Sequence, residues 1–76
     1  MKNAFHGKFL LELGKLLRIQ GNHEVAKKHL ERAQSLIPEK DRELIDVLIE
    51  LGIASFNLSD FKQAHQHFSL SQKLSG

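Results

Sequence analysis

Apolar residues recur every three or four positions along nearly the whole chain, and the strict alternation typical of β-strands is absent. Such spacing places apolar side chains on one face of a helix. The pattern predicts four helices, which span about residues 4–20, 23–36, 42–58 and 61–74. The short connections between them predict two antiparallel hairpins in an all-α fold.

Turn and cap residues separate the predicted helices. Gly21 suits the left-handed position after a helix, and Asn22 suits the start of the next one. Pro38 cannot continue a helical hydrogen-bond ladder, so it is expected to follow the end of the second helix. Asp41 and Asp60 are the predicted N-caps of the third and fourth helices.

Apolar residues of the first helix follow i, i+4, i+7 and i+8 spacing, which predicts one inner face. The predicted inner face consists of Phe5, Phe9, Leu10, Leu13, Leu16 and Leu17. The apolar residues of the third helix are Leu44, Val47, Leu48, Leu51 and Phe56.

The two halves of the chain repeat each other after a shift of 38 residues, the separation of Gly14 and Gly52. The shift also aligns Leu10 with Leu48, Leu13 with Leu51, Ala26 with Ala64, His29 with His67 and Leu30 with Phe68. Small residues are needed where two helices cross closely. We therefore expect each glycine to face the alanine of its own hairpin, with Leu30 or Phe68 one turn further on.

These repeated positions resemble the tetratricopeptide repeat. Repeat one, about residues 7–40, matches at Leu10, Leu13, Gly14, Leu17, Gly21, Ala26, Leu30, Ala33 and Pro38. Repeat two, about residues 45–76, matches at Leu48, Leu51, Gly52, Ala54, Asp60, Phe61, Ala64, Phe68 and Leu74. The resemblance implies a single domain, residues 1–76, of two antiparallel helix–turn–helix hairpins stacked as a short right-handed solenoid.

The chain also departs from the family pattern. Family repeats are about 34 residues long, so four extra residues lie around residues 39–42. Ser55, Ser59 and Ser71 replace a large residue, a glycine and an alanine, and Gly76 stands at the position of the second proline. The second repeat is therefore the weaker match.

The resemblance implies a function in protein–protein recognition, because the first helices of tetratricopeptide repeats line a peptide-binding groove. The matching positions are Lys8, Leu11, Glu12, Lys15, Arg18 and Ile19 in repeat one and Ile49, Glu50, Ile53, Phe56 and Asn57 in repeat two. Some family members bind a C-terminal carboxylate with a lysine and asparagine clamp, and only Lys15 fits that clamp. A mixed apolar groove is better suited to an amphipathic helix.

A second expectation is self-association. About three repeats are normally needed for stability, and this sequence carries two. The fourth helix has more apolar residues than one neighbouring helix covers, namely Phe61, Phe68, Leu70 and Leu74. A two-fold homodimer is the favoured arrangement. The alternatives are a fragment of a longer array, serving as scaffold or peptide-sensing regulator, and an adaptor whose partner supplies the missing helix.

Charge is unevenly distributed. Residues 1–40 hold eight Lys and Arg against four Glu, a balance of +4, and residues 41–76 hold three against five, a balance of −2. This asymmetry is suited to orienting a partner or to pairing two copies head to tail. It is too weak to indicate nucleic acid. A basic stripe of Lys27, Lys28 and Arg32 is interrupted by Glu24 and Glu31, so a DNA-binding helix–turn–helix is a distant alternative.

Nothing in the sequence indicates catalysis, a cofactor or a metal. Cysteine is absent, which excludes disulfides and thiolate ligands. His65 and His67 lie two apart and His23 and His29 six apart, which are poor ligand spacings on a helix. We expect no enzyme activity, no cofactor and no metal. The absence of a long apolar run and of a signal-peptide pattern leads us to expect a cytoplasmic protein without membrane insertion.

Overall fold

The computed structural model describes residues 4–76, with the side chain of Ala4 left out. Within that range the chain forms four helices and no strand, which confirms the predicted all-α class. The helices are α1 (Ala4–Ile19), α2 (His23–Leu36), α3 (Glu43–Asn57) and α4 (Phe61–Ser75). Their bounds lie within about one residue of those predicted from turn and cap residues, because these residues act through local backbone chemistry.

The helices pair in sequence order as two hairpins. In the first hairpin, Gly7 near the start of α1 lies against Ile37 just after α2, and Gly14 lies against Leu30. The later residue of α1, Gly14, contacts the earlier residue of the second segment, Leu30. The two helices therefore run in opposite directions, and α1 and α2 are antiparallel. In the second hairpin, Gly52 lies against Phe68. The two hairpins therefore use repeat-equivalent contacts.

The partner of each hairpin glycine differs from the prediction. A Cβ placed on Gly14 would lie 2.6 Å from Leu30 Cδ2, and one on Gly52 would lie 2.5 Å from Phe68 Cε1. The nearest atoms therefore belong to the large residue of the opposite helix, which occupies the space that the missing glycine side chain leaves. Ala26 and Ala64, the expected partners, are also buried between the helices.

Both hairpin turns have the same hydrogen-bond pattern. Gly21 has φ of 86°, and Ser59 at the equivalent position has φ of 64°. In each turn the next residue donates its backbone N–H to the carbonyl five residues earlier, at 2.8 Å. This is the Schellman arrangement that ends a helix at a left-handed residue. Serine adopts that conformation less readily than glycine.

The helix caps agree with the sequence in part. Asp60 is the N-cap of α4, and its Oδ1 accepts a hydrogen bond from the Gln63 N–H at 3.2 Å. Asn22 occupies the N-cap position of α2 without a side-chain cap bond. The assigned start of α3 puts its N-cap position at Arg42, one residue after the predicted Asp41, but the backbone of Arg42 is already helical and its side chain makes no cap hydrogen bond. The Asp41 carboxylate still accepts the Glu43 N–H, at 2.9 Å, because a tight turn precedes the helix.

The core lies between the two hairpins. Its buried members are Leu10, Leu11, Ala26, Leu30, Ala33, Ile37, Leu44, Val47, Leu48 and Leu51. Phe5, Phe9 and Leu16, which were predicted to face inward, are exposed. The glycines explain this error, since Gly7 and Gly14 place the buried side of α1 about a third of a turn or more away from those three side chains.

The hairpins contact each other through three helices. α2 packs on α3, α1 also approaches α3, and the backbone of α4 approaches α3 alone within residues 4–76. The shortest dimension of the molecule is 16 Å between Cα atoms. Packed helix axes lie about 8–10 Å apart, so this thickness corresponds to two layers of helices. Each layer keeps an outer surface that no other helix covers.

We expect Gly14→Leu to destabilise the first hairpin strongly. Leu30 is fully buried and lies directly at the Gly14 Cβ position, so we expect the added side chain to separate α1 from α2. The expected loss in the free energy of unfolding is about 3 kcal/mol. Urea denaturation followed by circular dichroism measures it. Gly76→Leu is the matched control, because nothing lies within 4 Å of that Cβ position. Equal stability of both variants would contradict the close contact.

We expect Ser59→Gly to stabilise the protein, because glycine adopts the left-handed conformation of this turn without steric strain. The expected gain is roughly 0.5–1 kcal/mol in the free energy of unfolding. The reverse substitution at the equivalent turn, Gly21→Ser, should lower stability by a similar amount. Thermal and urea unfolding of the three proteins measure both changes, and a destabilised Ser59→Gly variant would refute the prediction.

Candidate interaction surfaces

All five phenylalanines of the chain are exposed, while its core is built from leucine, isoleucine, valine and alanine. Phenylalanine is normally among the most buried residue types. Exposed large apolar side chains occur on every helix: Phe5, Phe9, Leu16, Ile19, Val25, Ile49, Phe56, Phe61, Phe68, Leu70 and Leu74. They group into separate surfaces according to their position on each helix.

The first surface, which we call the first edge, consists of Phe5, Phe9, Glu12 and Leu16 on α1. These residues follow i, i+4, i+7 and i+11 spacing, so they form one stripe along the helix. Phe5 is 89% exposed and Phe9 is 63% exposed. The buried Leu11 and Gly14 lie on the opposite side of α1. The first edge therefore points away from the rest of the molecule.

The second surface, the second edge, consists of Ile49, Ile53 and Phe56 on α3 with Phe61 and Phe68 on α4. The three α3 residues follow i, i+4 and i+7 spacing. Phe56 is 59% exposed. Its ring meets that of Phe61 edge to face, with centroids 5.3 Å apart. This contact joins the α3 and α4 members into one apolar surface.

The four residues of α4 that the sequence predicted for self-association do not form a single patch. Phe61 and Phe68 lie seven apart and belong to the second edge. Leu70 and Leu74 lie four apart and share a different side of the helix, since two positions correspond to a rotation of about 200°. We call Leu70 and Leu74 the α4 outer side. The predicted set thus divides between two surfaces, both exposed.

The predicted groove includes residues that a partner cannot reach. Leu11 is 1% exposed and belongs to the core, and Glu50 is 8% exposed. Both face the junction between α1 and α3, because their side of each helix is turned toward the other hairpin. These two assignments to the groove were wrong. Leu11 shares the buried side of α1 with Gly7 and Gly14, whereas its repeat equivalent, Ile49, is exposed.

The other predicted groove residues are at least partly accessible. Lys8, Glu12, Ile19, Ile49, Phe56 and Asn57 are exposed, and Lys15, Arg18 and Ile53 are half-buried. Ile19, near the end of α1, is 71% exposed. Ile49 and Phe56 point to the second edge and not into the space between α1 and α3. The accessible surface between these helices is therefore more polar than the sequence predicted.

Ion pairs join α1 to α3 along that surface. Lys8 Nζ lies 2.8 Å from Glu43 Oε1, and Arg18 Nε donates to Glu50 Oε1. The hydrogen bond from Lys8 to Glu43, together with the charge of that carboxylate, raises the pKa of Lys8. The Arg18–Glu50 pair is the more enclosed of the two. A buried carboxylate requires such a partner to offset its lost hydration.

An open cleft of about 310 Å³ lies between α2 and the turn before α4, lined by Glu24, Lys27, Lys28, Glu31 and Leu58. It contains two carboxylates and two ammonium groups, and Lys27 Nζ also lies 3.9 Å from a carboxylate oxygen at the N-cap of α4. Such a surface lacks the uniform positive potential that binds a phosphate backbone. The cleft gives no support to nucleic-acid binding.

His67 lies on the side of α4 that faces α2. Partial burial, and secondarily the positive charge of Lys27, lower the pKa of the His67 imidazole. Glu31 and Asp60 act in the opposite direction and are outweighed. These two effects disfavour the imidazolium form of His67 more in the folded state than in the unfolded chain.

Metal binding and membrane insertion are the other two properties that concern residues 4–76. No three or more His, Asp or Glu side chains in this range come together in a way that could hold a metal ion. No helix in the same range has the length and apolar character to cross a membrane. Comparisons with protein-family models, curated proteins and solved structures found no match to this chain.

We expect the free energy of unfolding to fall as the pH is lowered from about 7.5 to 5.5, with His67 contributing. The folded-state pKa of His67 lies below its unfolded value, so the unfolded chain binds the proton more readily. The stabilising contribution is therefore present above the unfolded pKa of about 6.5 and is lost as the pH falls toward the folded one.

Urea denaturation across that pH range tests this expectation. The His67→Gln variant should show a weaker pH dependence than the unsubstituted protein, and His65→Gln, at an exposed position two residues away, should not. An unchanged slope in His67→Gln would contradict the role of His67.

Proposed function

We propose that this chain is a protein-interaction module without enzymatic activity, built from two tetratricopeptide-like hairpins that stack as a short right-handed solenoid. Its main activity is self-association through the apolar surfaces that the two hairpins leave uncovered. The proposal includes no cofactor, metal, nucleic acid or membrane.

The exposure of Phe5, Phe9, Phe56 and Phe61, of which each is at least 59% exposed, is the observation that carries this proposal. Burying apolar surface stabilises a protein or complex by roughly 25 cal/mol per Å². Burial of these exposed rings against a protein partner would therefore stabilise the complex. Phenylalanine is also enriched in the centres of protein interfaces. Contiguous apolar surfaces such as the second edge are typical of protein-binding sites.

The repeat-equivalent contacts support the tetratricopeptide-like interpretation. Gly14 with Leu30 and Gly52 with Phe68 are the same pair of positions in the two hairpins. The turns after α1 and α3 repeat the same hydrogen bonds and left-handed residue. The ion pairs Lys8–Glu43 and Arg18–Glu50 follow the same direction along α1 and α3, as expected for first helices that run side by side.

Binding of a peptide or helix between α1 and α3 is the second candidate function. It is favoured by the exposure of Ile19 near the end of α1 and by the exposed polar residues Lys8 on α1 and Asn57 on α3. Because Leu11 and Glu50 are withdrawn from that surface, the ligand best suited to it is a polar, charged segment with one apolar anchor. A longer array, acting as a scaffold or peptide-sensing regulator, is the alternative context for the same hairpins.

Light scattering coupled to size exclusion, over a dilution series of the 76-residue chain, tests self-association. We expect a mass above the monomer value of 8.7 kDa at high concentration and a return toward it on dilution. A well-folded monomer at every concentration would exclude self-association and leave the groove as the leading candidate. A monomer without cooperative unfolding would instead favour the longer array.

A further inference from the structure

We infer that self-association is head to tail, with the first edge of one copy docked on the second edge of the next. This inference rests on the proposed function and names its partner as a second copy of this chain. It differs from a two-fold dimer, in which one surface would meet its own counterpart. Three observations carry it: the contact between α1 and α3, the residues at equivalent positions, and the charge of the two halves.

The contact between α1 and α3 provides a template within a single chain. The side of α1 that carries Lys8, Leu11 and Arg18 meets the side of α3 that carries Glu43 and Glu50. α1 and α3 are the first helices of the two repeats and occupy equivalent positions. The side of α1 in this contact is not equivalent to the side of α3 in it, so the contact joins two different sides of the repeat's first helix. One side of α1 and one side of α3 lack a neighbouring first helix. The exposed side of α1 is the first edge, and the exposed side of α3 belongs to the second edge.

The residues of the edges are the repeat equivalents of the residues at that internal contact. The 38-residue shift carries Leu11, Lys15 and Arg18 of α1 onto Ile49, Ile53 and Phe56 of the second edge. The same shift relates Glu43, Val47 and Ala54 on the α1-facing side of α3 to Phe5, Phe9 and Leu16 of the first edge. The side of α1 that contacts α3 is thus equivalent to the second edge on α3. The side of α3 that contacts α1 is equivalent to the first edge on α1.

The chemistry of the edges suits a contact between chains. Where the internal junction uses Arg18, the second edge has Phe56, and where it uses Glu43, the first edge has Phe5. A contact between the edges would therefore bury aromatic and aliphatic side chains where the internal one forms ion pairs. Glu12, the one carboxylate of the first edge, already has Lys15 as a neighbour at 3.5 Å.

Charge favours this orientation over the two-fold alternative. The half that contains the first edge has a balance of +4, and the half that contains the second edge has a balance of −2. Head-to-tail docking brings unlike halves together, whereas a two-fold contact through either edge brings like halves together. A head-to-tail contact also leaves one edge of each kind open, so assembly continues beyond the dimer unless a ring closes.

Two single substitutions test the orientation. Phe9→Glu places a charge in the first edge, and Phe56→Glu places one in the second edge. Both side chains are largely exposed, so each variant is expected to fold, which circular dichroism and thermal unfolding verify. Ile49→Glu is the replacement for Phe56→Glu if loss of the ring contact with Phe61 prevents folding. Gln66→Glu, at an exposed α4 position on neither edge, is the matched control.

Sedimentation equilibrium and native mass spectrometry provide the readout. We expect the unsubstituted chain and Gln66→Glu to form species larger than a dimer as concentration rises. Phe9→Glu and Phe56→Glu should each remain monomeric alone, with association at least tenfold weaker. An equimolar mixture of the two should form a one-to-one heterodimer and stop there, because it retains one intact first edge and one intact second edge.

Four results would overturn the head-to-tail inference. The mixture could fail to form a heterodimer, or either variant could still associate with itself at the unsubstituted strength. If both variants stay dimeric and only the Leu70→Glu, Leu74→Glu double variant is monomeric, the α4 outer side forms a two-fold dimer and self-association stands. If the unsubstituted chain is a folded monomer throughout, self-association and the head-to-tail contact are both excluded.

Discussion

The close approach of the two helices within each hairpin is the constraint on which the rest of the structure depends. Gly14 and Gly52 have no side chain, so Leu30 and Phe68 pack directly against the backbone of the opposite helix. This contact fixes which side of α1 and of α3 is turned inward. Once that side is fixed, the remaining apolar residues of each helix have to be either at the junction between hairpins or on the surface.

The junction between hairpins combines an apolar core with charged pairs at its border. Leu11 and Val47 are buried in it, while Arg18 and Glu50 pair beside them. Replacing such a pair by apolar residues is often neutral or even stabilising. The pair disfavours arrangements of the hairpins in which Arg18 is not next to Glu50, because burial of an unpaired carboxylate is costly.

The sequence was sufficient for those features that depend on local chemistry. Helix bounds followed from Gly21, Pro38 and Asp60, because capping and turn formation involve neighbouring residues. The choice of the inner side of α1 failed, because apolar residues surround most of that helix and periodicity alone could not distinguish Phe9 from Leu11. The burial of Glu50 could not be predicted from the sequence either, since it depends on a partner 32 positions away along the chain.

The isolation of α4 has a consequence for the folding of the molecule. Among the helices of residues 4–76, its backbone approaches only α3, and it follows a turn in which Ser59 has a left-handed conformation. Detaching α4 would therefore leave the first hairpin and most of the junction with α3 in place. Its amides are expected to lose protection in hydrogen exchange before those of α2. A detached α4 could also pack on the α3 of another chain, so the same connection offers a route to exchange of helices between molecules.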